Sequence, residues 1–205
     1  PARRIDPGMG VFPEDAPQEP EIFTVRFEKG LPVSINGNRV DAYEALEQSN
    51  AIGGKNGIGI GLHTAENRFV GIKSRGVYEA PGMELLGQCY EYLLQLIIDR
   101  RARKLYAPIS EYIAEQIYQG YWFDTATQAS MKFVDHLNQL ATGTIDVSLY
   151  KGGISFHSAS DVPHSLYSED TASMEAIGDF DHRDSEGFLG VLGVGARVLN
   201  TSGQV

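Results

Sequence analysis

From about Met83 to Lys104 the chain reads as one long helix with apolar residues on almost every side. Leu86, Cys89, Tyr90, Leu93 and Ile97 make one stripe, and Leu85, Tyr92, Leu96 and Ile98 widen it. A helix that apolar is buried on several sides or lies in a subunit interface. Pro81-Gly82 precedes it, and proline suits a helix start. Glu84 near its beginning and Arg100, Arg101, Arg103 and Lys104 at its end match the helix macrodipole. Such an element needs other layers to cover it.

Two hairpins can supply a sheet. Phe23, Val25 and Phe27 alternate with polar residues, Lys29-Gly30 turns the chain, and Leu31, Val33 and Ile35 alternate back to Asn36-Gly37-Asn38. Ile145, Val147 and Leu149 repeat the pattern, followed by Lys151-Gly152-Gly153, then Ile154 and Phe156. Both hairpins share Val-x-apolar-x-Lys-Gly, which is too short to establish a repeat. Shorter helices are expected over Asp41–Ser49, with Ala42, Leu46 and Tyr43 inward, and over Pro108–Gln119, stopped by Gly120. Another starts near Asp124, where Thr125 to Gln128 fits a capping box, presents Phe133, Leu137 and Leu140 on one face, and stops at Gly143. The fold class expected is α+β, a mainly antiparallel sheet with β-hairpins and a layer of long helices.

The flanks read differently. Residues 1–20 hold five of the nine prolines and are expected to be an extended linker or arm. Residues 21–190 form the main domain. Residues 191–205 are expected to be a flexible tail, because Gly190, Gly193 and Gly195 disfavour a helix. Eight acids between 161 and 186 read as a solvated face whose spacing matches no calcium loop. With no initial Met and no signal sequence, the chain is expected to be a processed or truncated form, and cytoplasmic. A net charge of −10 over 205 residues argues against nucleic acid. One cysteine excludes a disulfide framework, and no apolar run approaches the roughly 18 residues of a membrane span.

Simple chemistries fall away. His63, His136, His157, His164 and His182 form no metal-binding pair, so no metal site is expected. Cys89, inside an apolar helix, reads as an inert buried thiol. The glycine loop from Gly53 to Gly61 lacks the Gly-Lys-Ser/Thr of a phosphate loop and reads as a tight turn that needs positive φ. Glu66-Asn67-Arg68, leading through an expected strand to Ile72, and Lys73 to Gly82 are rich in polar groups. Glu66 could pair with a ligand ammonium, and Tyr78 could return to the same site and donate through its hydroxyl. The bland alternative makes Glu66 a counter-ion for Arg68 or Arg75. Residue types alone favour that alternative.

The segment from Glu66 to Gly82 closely resembles a signature stretch of the argininosuccinate synthase family. The resemblance extends from about Phe23 to Phe188 and includes Phe27 to Val33, the Gly53–Gly59 loop and Gly120-Tyr121-Trp122-Phe123. It continues through Leu149-Tyr150-Lys151-Gly152, Ser165-Leu166-Tyr167 and Asp184 to Phe188. It covers only the family's C-terminal half, the synthetase and multimerisation domain. Asn56 and Ile60 depart from a His and an Arg found in many members.

The resemblance implies ligation of citrulline to aspartate with ATP, giving AMP and pyrophosphate. It implies Glu66 and Tyr78 as citrulline contacts, with no catalytic or cofactor residue in this chain. ATP, with magnesium, and aspartate would sit on the N-terminal half, and the family's assembly is a homotetramer. A non-catalytic oligomerisation module of the same fold is the alternative. Alone, the 205-residue chain is expected to be inactive, because the phosphate-cradling loop belongs to the other half. Mixed with ATP, citrulline and aspartate it should release no pyrophosphate in a coupled assay, and measurable release would overturn that expectation.

Overall fold

A computed structural model gives the fold and describes residues 5–60, 62–68, 70–168 and 183–204. The chain divides into two units, Pro1–Leu166 and Tyr167–Val205. In the first, a five-stranded antiparallel sheet has the order β3-β2-β1-β6-β7. Its strands are β1 (Glu21–Glu28), β2 (Leu31–Ile35), β3 (Asn38–Arg39), β6 (Gly143–Tyr150) and β7 (Gly153–Ser160). Between them the chain makes helix α1 (Ala42–Lys55), a separate ribbon of β4 (Leu62–Asn67) and β5 (Lys73–Tyr78), and helices α2 (Pro81–Ile97), α3 (Arg100–Gln119) and α4 (Thr125–Asn138).

The α+β reading holds, and both expected hairpins are present. They meet where β1 pairs with β6, with Phe23 opposite Val147 and Val25 opposite Ile145. Their shared Lys-Gly is one turn used twice. Lys29 and Gly30 have φ of 50° and 83°, and Lys151 and Gly152 have 49° and 81°. Two successive positive φ angles give a turn whose twist matches that of the strands. Phe23, Val25, Phe27, Ile145, Val147 and Leu149 are buried on one face of the sheet. Against them lie Leu85, Cys89, Leu93, Leu94 and Ile97 of α2. The other face is polar: Asp146 accepts from the Thr24 hydroxyl at 2.6 Å and from the Ser158 hydroxyl at 2.5 Å.

The long apolar helix is two helices. Ile98 is extended (φ −105°, ψ 126°), and Asp99 caps α3 by accepting from the backbone N–H groups of Ala102 and Arg101. Those two bonds hold the Asp99 carboxyl below its ordinary range. The basic cluster therefore opens α3 instead of closing α2. That is the unfavourable end of the dipole. Arg103 reaches back to Glu91 on α2 and lies over the Tyr106 ring, which ties the two helices together. Pro108 stands inside α3, although it looked like a start, because the Asp99 cap begins the helix earlier. Most apolar side chains of α2 pack within this chain, Leu86, Tyr90, Tyr92 and Leu96 only in part, while Met83 is exposed.

Other boundaries also move. Helix α1 runs on through Gly53 and Gly54, and Ala45 and Ser49 face inward while Ala42 and Tyr43 are exposed. A reciprocal cap between Asp41 and Glu44 sets its phase. At α4 the cap position is Asp124, not Thr125, and the Gln128 amide donates to the Trp122 carbonyl at 2.7 Å. Gly143 opens β6; α4 has already ended at Asn138. The expected arm lies along the domain, with a 3-10 turn at Pro13–Asp15 and Ala16 buried. The Lys151 ammonium donates to the carbonyls of Glu14 and Ala16 at 3.1 and 2.6 Å.

In the second unit, α5 (Arg183–Thr201) is helical through Gly187, Gly190, Gly193 and Gly195, residues that disfavour a helix. Phe188, Val191, Leu192, Val198 and Leu199 recur at helical spacing along it, and all of them are exposed. Most of the acidic run, residues 169–182, lies outside the described residues.

Cys89 is fully buried, and burial, reinforced by the negative charge of Asp146, pushes its thiol up to about 12. The thiolate is the reactive form. Folded protein at pH 8 should therefore resist a disulfide-exchange reagent and take up one equivalent only after denaturation. Rapid labelling without denaturant would show that α2 does not stay seated on the sheet.

Candidate functional site

Strands β4 and β5 carry the residues singled out by the polar signature. Their register pairs Leu62 with Tyr78, Thr64 with Gly76, Glu66 with Ser74 and Asn67 with Lys73. The strand expected to run from Glu66 to Ile72 stops at Asn67. Arg68 to Ile72 form a reversal instead: the Arg68 N–H donates to the Ile72 carbonyl and the Gly71 N–H to the Arg68 carbonyl, each at 2.8 Å. Gly71 has a φ of 82°, a conformation that glycine adopts without penalty. Val70 and Ile72 are exposed in this turn, not on a strand face with Glu66. Gly71 was the signal for the break.

The hairpin brings Glu66 and Tyr78 onto one ribbon but not opposite one another. Tyr78 stands across from Leu62, four residues along β4 from Glu66. At about 3.3 Å per residue that is roughly 13 Å along the strand. The Tyr78 ring shortens the gap by lying back over Gly76. A Cβ placed on Gly76 would sit 2.4 Å from the ring and 2.9 Å from the hydroxyl oxygen. Absence of a side chain at Gly76 thus makes room for the ring. The hydroxyl reaches the level of the Thr64–Gly76 pair, about two residues, or roughly 7 Å, from the Glu66–Ser74 pair. A small amino acid spans such a distance. Ser74 holds the position opposite Glu66, while Lys73 and Arg75 occupy alternate positions assigned to the other face.

The base of the ribbon is fixed by the glycine loop. Gly57 and Gly59 have φ of 73° and 59°. The Ala80 N–H donates to the Gly59 carbonyl at 3.0 Å, and a Cβ on Gly59 would sit 2.9 Å from the Ala80 carbonyl carbon. Here glycine serves both the turn and the close approach. Asn56, in the same loop, is buried. Its amide donates to the Glu21 carboxylate at 2.7 Å and to the Ile52 carbonyl at 3.0 Å. Its own carbonyl accepts the Gly152 N–H at 2.8 Å, which seats the β6–β7 turn on the loop. The Lys55 ammonium also reaches Glu21, at 2.9 Å. Burial would raise the Glu21 carboxyl, but the Asn56 and Lys55 donors and the Lys55 charge outweigh it, and the group lies below its ordinary value.

Beyond the ribbon, Asn67 borders a hollow of about 520 Å³ lined also by Glu115, Tyr118, Gln119 and Tyr121. Sequence reasoning did not connect the end of α3 with the Glu-Asn-Arg stretch. Among the described residues, no group of three or more His, Cys, Asp or Glu side chains could hold a metal ion. Nor, among them, is any helix long and apolar enough to cross a membrane.

A family model described as "Arginosuccinate synthase C-terminal domain" matches residues 9–199. A curated argininosuccinate synthase of Rhodopirellula baltica is 43% identical over 194 residues, covering 95% of this chain and 48% of that protein. Relatives of the same name from Lachnoclostridium phytofermentans and Desulfitobacterium hafniense are 40% and 41% identical over 190 residues. Each match covers 93% of this chain, and 46% or 47% of the relative. The chain thus spans about half the length of these curated relatives.

The loop beneath the ribbon is open to test through Asn56. Asn56→Ala leaves the Glu21 carboxylate without its buried donor and should cost about 1–3 kcal/mol of unfolding free energy at pH 7. Because the folded Glu21 carboxyl lies below 4.5, its contribution is complete above that pH and is lost as the pH falls through the folded value. The variant should therefore also show a shallower loss of stability below pH 4.5, measured by denaturant melts across the acid range. Equal slopes for variant and parent would refute the pairing.

Proposed function

This chain belongs to the argininosuccinate synthase family, a ligase family, and on that footing we propose that it forms one wall of a citrulline site in such an enzyme. The reaction is ATP-dependent joining of citrulline to aspartate. The citrulline ureido oxygen attacks the α-phosphorus of ATP and pyrophosphate leaves. The aspartate amine then displaces AMP from the citrullyl-adenylate, giving argininosuccinate. ATP with its magnesium, and aspartate, are assigned to the half of the relatives that this chain does not span.

The observation carrying the proposal is the ribbon itself. Tyr78 lies back over Gly76 toward the level of Glu66, within the length of one small amino acid. A carboxylate only accepts hydrogen bonds, so Glu66 takes an N–H of citrulline. The Tyr78 hydroxyl donates to an oxygen of the same molecule. Neither group moves a proton in this scheme. Their work is to hold citrulline still, and orientation of this kind lowers a bimolecular barrier substantially. The enzyme is proposed to be a cytoplasmic homotetramer.

A second reading, a non-catalytic assembly module, is favoured by the apolar stripe on α5. Kinetics separates the two. In the full-length synthase that carries this domain, Glu66→Gln keeps the shape and removes the charge. It should raise the citrulline KM about ten- to a hundredfold, the worth of a charge-assisted bond of about 1.5–3 kcal/mol. The KM values for ATP and aspartate should hardly move. Tyr78→Phe should act in the same direction but less. A Glu66→Gln enzyme with a lower melting temperature and an unchanged citrulline KM would return Glu66 to the role of an internal counter-ion.

A further inference from the structure

The residue after Tyr78 has a conspicuous set of partners. One carboxylate oxygen of Glu79 accepts the Gly8 N–H at 2.9 Å, and the other accepts the N–H groups of Gly8 at 2.8 Å and Met9 at 2.6 Å. Two successive backbone donors converging on one anion form a nest, and bonds to an ionised acceptor are the strong kind. The arm then crosses the end of α1. The Val11 N–H donates to the Gly54 carbonyl at 3.1 Å. Gly10 approaches the same peptide so closely that a Cβ there would sit 2.3 Å from the Gly54 oxygen. The Glu79 carboxylate and the Gly10–Gly54 approach hold the first part of the arm, and Lys151 holds the part beyond it at Glu14 and Ala16.

We propose that Glu79 is a positioning residue: it latches the arm to the end of the ribbon and thereby sets where Tyr78 stands. The proposal rests on the reading of Tyr78 as a citrulline contact. At this end the ribbon leads straight into α2 at Pro81, and Ala80 is tied to Gly59. Glu79 adds the arm as a third restraint, one residue from the tyrosine. Undoing the latch leaves the chain free to pivot about Ala80, and the hydroxyl over Gly76 shifts with it.

The latch can be opened from either side in the full-length synthase. Glu79→Gln keeps one acceptor oxygen but turns an amide toward the second donor. Gly10→Ala leaves Glu79 intact and unseats the arm. Both should raise the citrulline KM by about two- to tenfold, bounded by the worth of the single neutral hydrogen bond from Tyr78. The KM values for ATP and aspartate should stay put, and amide exchange at Gly8 and Met9 should quicken. Glu79→Asp, which keeps the charge, should recover part of the loss. The double variant Glu79→Gln with Tyr78→Phe should be no worse than Tyr78→Phe alone, a non-additivity that a merely structural residue would not give.

Faster exchange in the arm with an unchanged citrulline KM, while Tyr78→Phe still raises it, overturns the latch and leaves the citrulline reading standing. If Tyr78→Phe itself leaves the citrulline KM unchanged, that reading fails and the latch falls with it. A parallel rise in all three KM values with a lower melting temperature also overturns the proposal. Should Glu79→Gln fail to fold, Gly10→Ala and Glu79→Asp decide the matter.

Discussion

Everything in the first unit hangs on the seating of α2 against the β1–β6 pair. Leu85, Cys89, Leu93 and Ile97 meet Phe23, Val25, Ile145 and Val147, and all are buried. Burial of side chains of this size stabilises by about 1.5–3 kcal/mol each, less for the cysteine. This contact joins two hairpins more than a hundred residues apart in the chain. It also anchors the functional ribbon, because β5 runs into the first turn of α2 with only Glu79 and Ala80 between. A shift of α2 on the sheet would therefore be transmitted to Tyr78.

Small residues let the second layer close on the first. Gly53 of α1 faces the Pro81 carbonyl, and Gly82 of α2 faces Asn50, each too near for a Cβ. The Asn50 side chain accepts the Gly82 N–H at 2.8 Å, so a donor at the start of α2 is satisfied by α1. Gly59 makes the same kind of approach to Ala80. Gly53, Gly54, Gly57 and Gly59 of the stretch that suggests a phosphate loop are thus points where backbone meets backbone. Asn56 and Glu21 supply the polar pairing that such a crowded junction needs.

What could be read in the sequence was local. Period-two alternation around Lys29-Gly30 and Lys151-Gly152 identified both hairpins, since side-chain direction and turn conformation are properties of a few adjacent residues. The break between α2 and α3 was written only in Asp99, amid apolar residues and arginines whose combined pattern argued for continuity. The end of β4 was written only in Gly71. The family motif singled out Glu66 and Tyr78, but their register depends on the length of the Arg68–Ile72 turn, which alternation cannot supply. The binding of Gly8 and Met9 by Glu79 joins residues some seventy positions apart. No short-range pattern records such a contact.

The edges of the sheet have a consequence for assembly. On one side the last strand, β3, is two residues long, Asn38 and Arg39. On the other, the pairing of β7 with β6 slips between Asp146 and Val147, so that His157 is an extra residue and the strand bends there. A short charged edge and a kinked one are poor templates for a neighbouring strand. A further strand laid against either rim would find few backbone groups in register to pair with. A row of open backbone hydrogen-bonding groups, the least selective of docking surfaces, is thus largely missing from the rims of this sheet.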